Sequence, residues 1–326
     1  MAPYKKTLTV SAPPHIYGND TITRRMRDVL IALAPAAFAG IFYFGRRAFL
    51  IIAVSIISAV LAEYLFQKVT GKAVTIHDCS AAITGLLIAL TLPPAVPLWV
   101  PVIGGFFAVV AVKQLFGGLG SNFMNPALAA RAFLVAAFPV YMTNWVFPRM
   151  SEGADAVAGA TYLTIIKQNT AFVPESADYA AVFFGNIGGC IGETSALALI
   201  AGGIFLIFRR VINWRVPVFY VGSFGLFAFI FGRNGYFAGE NIFFEMMAGG
   251  LLLGAIFMAT DYATTPISPR GKIIMGIGCG FLTVMIRFYS GYPEGVCFAI
   301  IIMNVFVPII DKYIRPRVYG RRNRES

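Results

Sequence analysis

Apolar residues in this chain fall into long blocks at 29–44, 48–66, 81–92, 96–112 and 127–142, and again at 196–208, 216–231, 242–259, 273–286 and 296–310. A helix of roughly 20 apolar residues crosses a bilayer, so the pattern predicts an all-α integral membrane protein of about ten transmembrane helices. Several blocks fall short of a full crossing, 81–92 most clearly. Short or Gly/Pro-interrupted segments inside a bundle predict broken helices that line a site. The one long stretch without such a block is 143–189. The chain therefore divides into a polar segment 1–27, a first five-helix half 28–142, a loop 143–189, a second five-helix half 190–312 and a basic tail 313–326.

The halves echo one another. Ala82-Ile-Thr-Gly85-Leu-Leu-Ile-Ala-Leu-Thr-Leu-Pro-Pro94 resembles Met247-Ala-Gly-Gly250-Leu-Leu-Leu-Gly-Ala-Ile-Phe-Met, and each leads through a bend into a Gly-rich block. The third block runs outward and the eighth inward, so the expected repeat is inverted. Inverted five-helix repeats place sites near the membrane midplane, where the repeats meet.

Composition agrees: 58% hydrophobic residues, 13% charged and a mean hydropathy of +0.75 exclude a soluble enzyme. The net charge of +11 raises nucleic-acid binding, but its distribution assigns it to topology instead. With both termini inside, nineteen Lys and Arg fall on the cytoplasmic side, among them Arg24, Arg25, Arg27, Lys113, Arg209, Arg210 and Lys272. Six fall outside (Arg46, Arg47, Arg149, Lys167, Arg233 and Arg287), with Arg131 inside a block. The positive-inside rule then sets both termini in the cytoplasm and the 143–189 loop on the outer face of the membrane. The polar N-terminal segment shows no cleavable-signal pattern. Cys79, Cys190, Cys279 and Cys297 form no CxxC pair and read as packing residues. His15 and His77 are the only histidines, too few for a bis-histidine haem.

Chemistry concentrates in the loop. Asp155-Ala-Val-Ala-Gly-Ala-Thr161 is a stretch of small residues ending in an accessible hydroxyl. It resembles the flavinylation motif in which FMN is joined through its phosphate to a threonine. Ala89-Leu-Thr-Leu-Pro-Pro94, Gly117-Gly-Leu-Gly-Ser-Asn-Phe-Met-Asn-Pro126 and Phe257-Met-Ala-Thr-Asp261 resemble, in the same order, the family of RnfD and NqrB. RnfD belongs to the Rnf ion-translocating electron-transport complex, NqrB to the sodium-pumping NADH:quinone reductase. The short N-terminal segment is closer to RnfD, and Ala158 stands where the motif often has Ser.

The resemblance implies a translocase subunit that carries electrons between ferredoxin and NAD, coupled to Na⁺ or H⁺ movement. Covalent FMN would sit on Thr161, with Asp155, Gly159 and Ala160 recognised by a flavin transferase. A second flavin, riboflavin held without a covalent bond, would lie within the bundle. Partner subunits would include one with an outer-face flavin, and would hold the NAD and ferredoxin sites, since no nucleotide fold or nucleophile is legible here. Arg149 and Lys167 could offset the FMN phosphodiester. Tyr141, Trp145, Phe147, Tyr162 and Phe172 are either flavin-stacking rings or an interfacial aromatic belt. The alternative in another class is an inverted-repeat channel or secondary transporter without a redox role.

Outside the loop, Asn125-Pro126 reads as a helix cap that could also line a flavin or anion site. Asp261, after the eighth block, is a candidate Na⁺ or H⁺ site at a helix C-terminus. Otherwise it pairs with Arg270 or Lys272, or caps the Thr264-Thr265-Pro266 turn. Asp78 and Glu193 read as N-caps. Glu63 and Arg131 lie inside blocks, where a lone charge costs about 2.5–3.5 kcal/mol on insertion scales, so each needs a partner.

Overall fold

In the computed structural model, residues 21–146, 148, 176–232, 242–291 and 294–314 are described, with 176–178 as backbone only. Regular structure among them is helical. The first half holds α1 (Ile22–Phe44), α2 (Arg46–Val69), α3 (Ser80–Leu90), α4 (Trp99–Phe106), α5 (Pro126–Ala137) and the short α6 (Pro139–Met142). The second holds α7 (Ser176–Phe184), α8 (Ala196–Phe208), α9 (Arg215–Ile230), α10 (Ile242–Met247), α11 (Leu251–Leu253), α12 (Pro269–Tyr289) and α13 (Val296–Tyr313). α4 runs on into a π-helical segment, Phe107–Gln114, and α11 into another, Gly254–Met258.

Each of the ten apolar blocks carries helix, but not ten full crossings. Four helices have membrane length: α1, α2, α12 and α13, with 23, 24, 21 and 18 residues. At about 1.5 Å per residue these match a hydrocarbon layer of about 30 Å. The other six blocks hold shorter or interrupted helices. The 127–142 block breaks at Phe138-Pro139. The 242–259 block breaks at Gly249-Gly250, both with positive φ (71° and 70°). The helix α7 lies within what the sequence marked as loop.

Packing is organised by small residues, as expected where lipid supplies no hydrophobic drive between helices. α2 packs on α3 and α4, and in the second half α9 packs on α10 and α12. Across the halves α1 meets α8, and α5 meets α13. A Cβ on Gly202 of α8 would stand 2.2 Å from the Ala32 carbonyl oxygen of α1. A Cβ on Gly280 of α12 would stand 2.0 Å from Ser223 Oγ of α9. Where α3 stops, a segment of the other half takes over its freed carbonyls: Gly192 N–H donates to Leu90 O (2.8 Å) and Ile191 N–H to Leu92 O (3.1 Å).

Gly202→Ala should force α1 and α8 apart and cost about 1–3 kcal/mol. Gly222→Ala, in α9 with nothing within 4 Å of the added carbon, should be neutral or stabilising. Thermal unfolding in detergent compares the two.

Candidate functional site

A chamber opens where the broken elements meet, between the Ser80–Leu87 face of α3, the Gly117–Pro126 loop, and the Phe257–Tyr262 segment. Its envelope is about 710 Å³, of which about 80 Å³ is free to water as the side chains stand. Met26 and Leu119 line it, the latter 39% exposed.

Asn125 does two jobs at its wall. Its Oδ1 caps α5, accepting from Ala127 N (3.0 Å) and Leu128 N (3.3 Å), as the Asn-Pro pair predicts. Its Nδ2 donates to Met258 O (3.1 Å), tying the start of α5 to the end of the second π segment. Asn304, buried in α13, completes the joint: it accepts from Asn125 N–H (3.2 Å) and donates to Thr264 O (3.2 Å). Asn122, three residues before Asn125, is buried, and its Oδ1 meets no hydrogen-bond partner among the described residues. A buried carboxamide oxygen without a donor is costly, and at a cavity wall it marks where a ligand N–H fits.

Asp261 also lines the chamber. Burial raises its carboxyl above the usual range, while the Ala263 N–H, the Thr264 hydroxyl and the Tyr262 N–H favour its ionised form. Thr264 Oγ1 lies 3.4 Å from Oδ2, so Asp261 caps its own turn and makes no ion pair with Arg270 or Lys272 among the described residues.

Lys113 reaches the same wall from the first π segment. It is 1% exposed and donates to both Glu63 oxygens (2.9 and 3.1 Å) and to Ser80 Oγ (2.6 Å). Gln114 Nε2 also donates to Glu63 (2.6 Å). The expectation that Lys113 is a topogenic surface charge is therefore corrected, and Glu63 has its partner inside the bundle.

A second ionic centre lies on α5. Arg131 stands six positions after Asn125, about 9 Å along the helix. Arg131 donates to Thr91 O (2.8 Å), is 3.4 Å from Glu193 Oε1, and pairs with Glu294. Glu193 thus serves as an ion-pair partner; the cap of α8 is Ser195, which accepts from Ala198 N. Arg287, expected outside, is fully buried and donates to Glu245 O (2.7 Å) and Gly249 O (3.4 Å), with Phe224 4.9 Å away as a cation–π partner. Thr143 and Trp145, at the described start of the long loop, border a small cavity with Arg131 and Glu294.

Thr161, Asp155, Gly159, Ala160, Arg149 and Lys167 lie outside the described residues, as do Phe147, Tyr162 and Phe172. Of the residues predicted from sequence, Asn125 and Asp261 come together at the chamber. Asn122 and Lys113 join them without having been singled out; the Asn122-x-x-Asn125 spacing was the available signal.

The profile described as NQR2, RnfD, RnfE family matches residues 9–320. The chain belongs to that family. It is 43% identical over 325 residues to the D subunit of the proton-translocating ferredoxin:NAD(+) oxidoreductase complex of Clostridium ljungdahlii, covering 98% of each chain. It is also 43% identical over 314 residues to the D subunit of the Na(+)-translocating ferredoxin:NAD(+) oxidoreductase complex of Acetobacterium woodii, covering 96% of this chain and 95% of that one. With the D subunit of the ion-translocating oxidoreductase complex of Stutzerimonas stutzeri it shares 37% identity over 331 residues, 93% and 94% of the two chains. Family members named for different ions match equally well, so overall similarity carries no information on the coupling ion.

Glu63→Gln should leave Lys113 buried without its counter-ion and cost about 3–5 kcal/mol. Adding Lys113→Met should recover most of that loss. Thermal unfolding of the single and double variants in detergent reads both.

Proposed function

We propose that this chain is the D-type membrane subunit of an ion-translocating ferredoxin:NAD oxidoreductase, carrying electrons through a covalent FMN on Thr161 and a second flavin in the inner chamber. The observation that carries the reading is the Asp155–Thr161 motif, standing in a chain that matches the family over residues 9–320. Flavins supply hydride and one-electron chemistry when bound; the protein's part is position and electrostatics.

For the second flavin the chamber's donor set is suitable. Asn122 Oδ1 would accept from a ring N–H. Lys113, held by Glu63, would put positive charge beside the ring's carbonyl edge, where reduction gathers electron density. Ile83, Leu87 and Phe257 supply apolar walls. The free space is smaller than a flavin ring, so Met26 and Leu119 would have to turn aside on binding. α5 then links the chamber to the Arg131 centre, which the described start of the flavin loop borders.

The inverted five-helix repeat belongs to the same proposal. It is supported by the matching packing of α2 on α3 and α4 and of α9 on α10 and α12, with α1–α8 and α5–α13 contacts between halves. Both termini would be cytoplasmic and the Thr161 loop on the outer face, because α1's start, the 209–215 turn and the start of α12 are the basic ends of the bundle. Partners would be the other subunits of the complex and a flavin transferase.

Co-expressed with a flavin transferase, the wild type should give a fluorescent band after denaturing electrophoresis, and Thr161→Ala should not. A dark wild type beside an active transferase would end the flavoprotein reading in favour of a transporter without redox chemistry. Asn122→Leu should keep the band but release at least about fivefold less acid-extractable flavin than wild type, since a lost buried hydrogen bond is worth about 1–3 kcal/mol.

A further inference from the structure

A second, larger cavity, with an envelope of about 1280 Å³ against 710 Å³, lies on the basic face, sharing Ile212, Thr260 and Tyr262 with the wall of the inner chamber. Three cations from three separate segments border it: Arg25 from α1, Arg210 from the turn after α8, and Lys272 from α12. Arg25 stands 5.6 Å from the Tyr262 ring centre, in cation–π geometry. Arg210 and Lys272 make no ion pair among the described residues. Of the carboxylates in the region, one is ion-paired and the other, Asp311, acts on Lys272 through its field without closing an ion pair. Arg209 holds Asp28 (3.0 Å), and Asp311 accepts from Ile267 N–H (3.1 Å).

Arg210 is also in an unusual conformation, with φ at 55°. Its N–H donates to Ile207 O (3.0 Å) and the Val211 N–H to Leu206 O (2.9 Å). This is the Schellman ending of a helix, at the position where glycine is strongly favoured because a Cβ is strained there. A residue kept at such a position against its backbone preference points to a use for the side chain. The rim beside these cations is apolar and open, with Trp214 48% and Ile267 75% exposed.

We propose that this vestibule binds the phosphate headgroup of an anionic phospholipid. Arg210 and Lys272 converge on a concavity without an ion pair among the described residues, and an anion bound there would meet both. Phosphate suits the donor geometry of an arginine with a lysine. The exposed Trp and Ile beside them suit the glycerol and acyl region of the same molecule, which distinguishes a lipid from a free phosphate. The assignment is independent of the flavin reading.

The test is native mass spectrometry of the full chain in detergent with added phosphatidylglycerol or phosphatidylcholine. Wild type should retain phosphatidylglycerol in preference to phosphatidylcholine. Each of Arg210→Gly and Lys272→Met should lower that retention about fivefold, and the pair about 25-fold, from roughly 1 kcal/mol per cation near a membrane surface. Arg210→Gly removes the charge while relieving the strained turn, so its thermal unfolding should not fall and loss of binding cannot be charged to misfolding. Equal retention of the two lipids, or unchanged retention in the double variant, overturns the proposal. If inorganic phosphate raises the unfolding temperature of wild type but not of the double variant, while phosphatidylglycerol does neither, the anion site stands and the lipid assignment falls.

Discussion

Backbone polar groups in a hydrocarbon layer must find partners inside the protein, and this apolar bundle carries broken helices nonetheless. Much of the buried polarity is explained by that conflict. Arg131 donates to the carbonyl of Thr91, just past the end of α3. Arg287 donates to Glu245 and Gly249, around the interruption between α10 and α11. Asn125 holds Met258 O at the end of the second π segment, and the amides of Gly192 and Ile191 hold the carbonyls of Leu90, which ends α3, and of Leu92 just past it. Arg131, Arg287 and Asn125 are thus helix terminators before they are anything else.

That role fixes where charge accumulates. A guanidinium placed to end a helix needs its own counter-ions, which Glu193 and Glu294 supply to Arg131. The Glu63–Lys113 pair stands apart: it joins α2 to the first π segment and puts its ammonium group at a cavity wall. Buried pairs of this kind add little net stability, because desolvation offsets most of the attraction. Their persistence in an apolar bundle is better explained by what they position.

The same connections give α5 a central place. It begins at the Asn125 cap beside the inner chamber and carries Arg131 further along, beside the described start of the long loop. Its contacts with α3, α4 and α13 hold these points in one rigid frame. On the proposed reading an electron carrier would need such a frame, since transfer depends steeply on separation.

The amino-acid sequence by itself determined where the chain is apolar enough to lie in a membrane, where helices begin at Asn125-Pro126, and that segments such as 81–92 are too short to cross. Each follows from local solvation and local hydrogen bonding, which act within a turn or two of helix. It also carried the Asp155–Thr161 motif. Only the tertiary structure decided that Lys113 faces Glu63, 50 residues away, and that Arg131 meets Glu294, 163 residues away. Charge counting placed Lys113 and Arg287 at the surface because a lone cation in a sequence is cheapest in water. Burial became possible only when folding brought carboxylate and carbonyl partners from other helices to meet them.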